Sequence, residues 1–138
     1  MKNLKVADST YLLEEGLEKL HQESMDWISE MDLWKLELDF FQKLLDKYSA
    51  QFSTIEQKKR LDYFQNLIIY YSGELIDSFI EKTKRHETLL AKEMVEPLEM
   101  DEQEYRKMHK EIEEDVRSLR KRFYAYKKEF LTFIKPVI

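Results

Sequence analysis

The chain has 138 residues, a length that suits one domain spanning 1–138. Hydrophobic residues make up 43% and charged residues 37%, with a net charge of −5; this balance fits long amphipathic helices and excludes a disordered chain, which lacks the apolar residues to offset its ordering entropy. Two glycines and two prolines leave almost no turn residues for a sheet protein, and the lack of cysteine excludes disulfides, zinc–thiolate sites and thiol nucleophiles.

The segment Met1 to Asp8 has no apolar run of signal-peptide length. Nor does any uncharged stretch approach the roughly 18–20 residues of a membrane helix, so the expectation is a cytoplasmic protein without a membrane span. The first periodic run is Leu13, Leu17, Leu20, Ser24, Trp27, Met31, Trp34, Leu38, Phe41, Leu45, Tyr48 and Phe52. Its steps alternate four and three, the heptad signature of a coiled-coil seam. It predicts one helix over about 9–51, with Asp8 or Ser9 as its cap.

The second run is Leu61, Phe64, Ile68, Tyr71, Leu75, Phe79, Thr83, His86, Leu90 and Met94, giving a helix over about 54–95. Ser53-Thr54-Ile55-Glu56 before it matches a capping box. Consecutive steps of four after Tyr71 and Leu75 mark a slip that unwinds a coiled coil locally, and Gly73 lies there. Gly73 reads as a tolerated helix glycine rather than a close helix crossing. Pro97 ends this helix, because an interior proline loses a hydrogen bond and clashes with the preceding turn.

The third run is Tyr105, Met108, Ile112, Val116, Leu119, Phe123, Tyr126, Phe130 and Phe133, a helix over about 101–134 with Asp101 as cap. Short connections make successive helices antiparallel neighbours. Facing residue numbers then total about 107 between the first and second helices and about 195 between the second and third. All three helices match in length, so the expected fold is an all-α antiparallel bundle of three long helices with coiled-coil packing.

Most catalytic signatures are missing. Two glycines cannot build a phosphate-binding loop, and no nucleophile elbow, zinc-protease helix or EF-hand loop occurs. A non-enzymatic chain without a small-molecule substrate is therefore expected. One constellation stands out, because the facing rule puts His21, His86 and His109 at one level of the bundle, one per helix. Three imidazoles leave an open position on zinc or another divalent transition metal, and Glu18 and Glu113 share the helix faces of His21 and His109. The competing reading is a polar layer that fixes register, since Ser24 and Thr83 also face each other, with His21 and His109 turned to solvent.

Charge and apolar residues are unevenly placed. Residues 40–66 and 117–138, one end of the bundle, hold twelve bases against four acids. Arg120, Lys121 and Arg122 there could meet nucleic acid or an anionic surface, although the acidic chain as a whole disfavours nucleic acid and such cations also complement a helix C-terminus. The same half carries Leu36 and Phe40 on the first helix and Leu67, Ile69 and Tyr70 on the second, more than a seam needs. Either they thicken the core, or another chain covers them. The expected function is thus an interaction or scaffolding bundle that forms a homodimer or binds another helical protein, with the histidine layer and the basic end as alternatives.

Overall fold

The computed structural model describes residues 2–95 and 102–138. Helix α1 runs over Lys2–Tyr48 and closes in a 3₁₀ turn, Ser49–Gln51. Helices α2 (Ile55–Tyr70) and α3 (Ile76–Val95) are joined by a π-helical turn, Tyr71–Leu75, into one rod. Helix α4 spans Glu102–Ile134, followed by a 3₁₀ turn over Lys135–Val137 that holds Pro136. The fold is an all-α bundle of three long rods, without a strand among the described residues.

Two expected helix starts are corrected. Asp8 and Ser9 do not cap α1, which continues back to Lys2 because nothing in Lys2-Asn3-Leu4-Lys5-Val6-Ala7 breaks a helix. The capping box before α2 is one residue further on. Thr54 Oγ1 accepts from the Gln57 amide at 3.1 Å, while Gln57 Oε1 accepts from the Thr54 amide at 3.1 Å. Phe52 leaves α1 in an extended conformation and stacks on Phe133 (centroids 4.4 Å apart), which closes the turn over the core. Pro97 and Asp101 lie outside the described residues.

Side-chain pairs give the topology. Gln42 and Gln65 exchange two hydrogen bonds, of 2.8 and 2.6 Å, Lys35 pairs with Asp77, and His21 with Glu87, so α1 is antiparallel to the α2–α3 rod. Lys82 with Asp115 and His86 with His109 make α3 antiparallel to α4. Glu23 with His109, Glu30 with Arg120 and Glu37 with Lys127 show that α1 and α4 run parallel.

Among the described residues the core is lopsided. A continuous cluster includes Trp34, Leu38, Phe41, Phe64, Tyr71, Phe123 and Phe130 and fills the half near the α1–α2 turn. Tyr126 anchors it by donating its hydroxyl to the Phe64 carbonyl at 3.0 Å, and burial pushes that phenol's pKa up. In the opposite half the described residues include a small cluster, Leu20, Leu90 and Tyr105, with Leu17 packed against it.

The π-turn re-phases the second rod. Buried positions step from Ile68 to Tyr71 and then by five to Ile76, Ile80, Thr83 and His86. Leu75 and Phe79, expected in the seam, are only half-buried. A π-turn takes in one residue more than an α-turn, which rotates everything after it by about 100° relative to an uninterrupted helix. Ser72 supports the opening by donating its hydroxyl to the Ile68 carbonyl at 2.7 Å. A Cβ at Gly73 would meet nothing within 4 Å, so no close crossing occurs there.

Candidate functional site

The level that holds the histidines is a buried polar layer between the two apolar clusters. Ser24 from α1, Thr83 and His86 from α3, and His109 from α4 are all buried. Thr83 donates its hydroxyl back to the Phe79 carbonyl at 2.7 Å. Ser24 Oγ has no partner. In α4 the expected seam residue Met108 is 36% exposed and His109 takes the inward position at 3%.

His86 Nε2 and His109 Nδ1 are 3.0 Å apart, and His109 Nε2 lies 3.1 Å from Glu23 Oε2. The chain of bonds fixes the tautomers. A carboxylate only accepts, so His109 donates through Nε2 to Glu23 and accepts at Nδ1 from the His86 Nε2–H. The lone pair of His86 Nδ1 is then left buried without a partner. Tyr105 stacks on His86 with centroids 4.2 Å apart and planes within 9°, and Trp27 covers His109 at 4.7 Å. Burial, and then the facing His109, lower the His86 pKa to about 4. Burial likewise raises Tyr105, whose hydroxyl has no partner.

His21 does not join this pair. Its side chain is 54% exposed and bonds Glu87 on α3. Glu18 is exposed, and Glu113 accepts from Arg117 four residues on. The three histidines thus share a level without converging, and among the described residues no three His, Asp or Glu side chains stand where they could hold a metal ion. Glu23, Glu87 and Tyr105 are layer members that the facing rule missed. An open groove of about 440 Å³ runs between α3 and α4 outside His86, with Lys82 and Arg85 along one helix and Met108 and Glu111 along the other. Both cations are engaged, Lys82 with Asp115 and Arg85 with Glu81.

The apolar surplus divides. Leu67 packs against the main cluster. Ile69 and Tyr70 are exposed on α2, but neighbouring helix residues point about 100° apart, so they face different sides. Leu36 and Phe40 lie on one outward stripe of α1 with Leu33, the three being 65%, 56% and 55% exposed. Leu33 and Phe40 each stand three residues beyond Glu30 and Glu37, which bond α4 through Arg120 and Lys127. Tyr124 and Leu131, four residues beyond those two bases, are also exposed. Leu33, Phe40, Tyr124 and Leu131 flank one line of ion pairs, and Leu36 lies further round α1 beside Leu33 and Phe40.

The basic end is partly neutralised. Arg120 grips Glu30 through two nitrogens, and Arg60 lies over the rings of Phe64 and Phe133 at 5.6 and 5.4 Å. Lys121 and Arg122 are exposed. No helix among the described residues is long and apolar enough to cross a membrane. Compared with known proteins, the chain matches no family model, no curated protein and no solved structure.

Proposed function

We propose that this chain is a non-enzymatic interaction module, a rigid helical bundle that self-associates through the outward face of α1. The observation that carries the reading is the exposed stripe Leu33, Leu36 and Phe40 on a helix whose opposite face is already buried. A single exposed leucine is ordinary on a soluble protein, whereas a run at helical spacing, widened by Tyr124 and Leu131 on the neighbouring helix, has the form of a docking face. Charged residues border the stripe, the exposed Asp32, Asp39 and Asp46 on one side and the ion-paired Glu30 and Glu37 on the other, and give it the polar rim of an interface. The polar layer supports the same reading by serving register, since a buried hydrogen-bonded pair penalises sliding of one helix past another.

Sedimentation velocity over a concentration series tests this. The wild-type chain is expected to be a dimer that dissociates on dilution, and the double substitution Leu36→Glu and Phe40→Glu is expected to be a monomer with unchanged helical circular dichroism. A wild-type chain that stays monomeric at every concentration would sink the proposal.

A further inference from the structure

We propose that the outward ridge of α4 docks this chain onto an anionic lipid surface. This goes beyond self-association through α1 and does not rest on it. The ridge is the row Arg117, Lys121, Tyr124, Lys128, Leu131 and Lys135, at steps of four and three over about 27 Å of helix. All six are exposed, Tyr124 at 68% and Leu131 at 42%.

The positive charge of this ridge remains once the acids around it are counted. Glu30 and Glu37 of α1 are taken up by Arg120 and Lys127, which lie between the ridge and α1. Asp32 and Asp39 flank Lys35, which reaches Asp77 on α3, and Asp46 accepts from Gln42, which bonds Gln65 on α2. These three aspartates therefore stand on the far side of α1. Glu129, the only acid in residues 117–138, lies beside Tyr63 of α2. Glu113 holds Arg117, and Glu114 and, on α1, Asp26 lie at the Arg117 end of the row. Lys121, Lys128 and Lys135 are left without an acidic partner among the described residues. Nor does the helix dipole account for Lys121 and Lys128, since its reach is the last turn and α4 runs on to Ile134.

Three uncompensated lysines call for an anionic partner, and the residues between them select its kind. Tyr124 and Leu131 alternate with the lysines and need an apolar phase to enter. A nucleic-acid backbone answers the lysines alone, whereas an anionic bilayer offers charged headgroups with hydrocarbon directly beneath them. Tyrosine belongs to that boundary, and the long lysine stem keeps its ammonium at headgroup level while the apolar side chains go deeper. Shape agrees with this choice. The row is a convex ridge on one helix, which meets a plane along its length, whereas a protein partner would need a groove cut to match it. The acidic far half of the chain is repelled by the same surface, so the rod docks by its basic half.

The experiment is cosedimentation of the full chain with extruded vesicles. Vesicles of phosphatidylcholine with a third phosphatidylserine are expected to carry the chain into the pellet at low salt, and pure phosphatidylcholine to leave it in the supernatant. Replacing Lys121, Lys128 and Lys135 together by alanine should lower the partition coefficient about a hundredfold, roughly fivefold per lysine, with unchanged helical circular dichroism. Tyr124→Ala with Leu131→Ala should lower it about tenfold. Lys43→Ala with Lys58→Ala, on the α1–α2 side of the same half, should change it less than twofold, because those charges stand more than a Debye length from the docked surface. A chain that ignores the anionic vesicles, or binds the neutral ones equally well, overturns the proposal. So does binding that is indifferent to Tyr124 and Leu131, or that falls as far on loss of Lys43 and Lys58 as on loss of the three ridge lysines. Retention of a single-stranded oligonucleotide or of polyglutamate through the ridge lysines, without vesicle binding, would assign the ridge to another polyanion and overturn it as well.

Discussion

His86 is the residue whose environment most constrains its chemistry. It is 1% exposed, pressed against Tyr105, and its Nδ1 has no partner. In the unfolded chain an imidazole takes a proton near pH 6.5, whereas in the fold His86 resists it until about pH 4. The unfolded state therefore binds more protons across that window, and stability falls as the pH drops from about 6.5 to about 4. The groups around it do not reverse this sign. Glu23 bonds His109 rather than His86, the facing His109 opposes a charge on His86, Tyr105 stays neutral, and Glu87 is engaged with His21. Urea unfolding at stepped pH should show a loss of up to about 3 kcal/mol over this window. His86→Phe should flatten the profile. An equally steep profile in that variant would assign the effect to other groups.

At the scale of the helix, the π-turn is the feature that carries a prediction. Gly73 is exposed, helical, and free of neighbours within 4 Å of an added Cβ. Gly73→Ala should raise stability by about 0.5–1 kcal/mol, read as a shift in melting temperature. Deleting Gly73 should be tolerated, since the rod would become a continuous α-helix with Ile76, Ile80, Thr83 and His86 still facing inward. Deleting Ser78 instead would rotate Ile80 and all that follows out of the core while leaving the π-turn, and should cost the half beyond the polar layer its cooperative unfolding.

Much of this was legible in the sequence, and the exceptions have physical causes. The α1 seam from Leu20 to Leu45 can be read from its steps because no irregularity interrupts it. The slip after Tyr71 was visible as surplus residues, but two steps of four and one step of five account for the surplus equally well. Only the backbone decides that Ile76 and Ile80, rather than Leu75 and Phe79, turn inward. In α4 the choice between Met108 and His109 is a rotation of 100° that apolarity alone assigns to methionine; the partner Glu23 settles it for histidine. That partner belongs to the parallel α1–α4 contact, which follows from the two antiparallel ones and would also have disclosed Glu30 with Arg120.

At the scale of the whole molecule, the described core predicts uneven stability. Among the described residues, the aromatic half buries a large continuous cluster, while the other half has Leu20, Leu90 and Tyr105 beyond a polar layer. Apolar burial is the main source of stability, at roughly 25 cal/mol per Å², so the two halves should open at different free energies. Hydrogen exchange is expected to be fastest in residues 17–24 and 103–110 and slowest in residues 34–45 and 116–130. Uniform protection along α1 and α4 would mean that the bundle opens only as a unit.

The placement of the two tryptophans gives each region its own optical label. Trp34 sits among hydrocarbon and aromatic rings, edge-on to Phe123. Trp27, two turns away, lies against the His109 imidazole at the border of the polar layer. Trp27 is therefore the dye that reports the opening of the polar layer, and Trp34 the one that stays constant until the aromatic half itself comes apart.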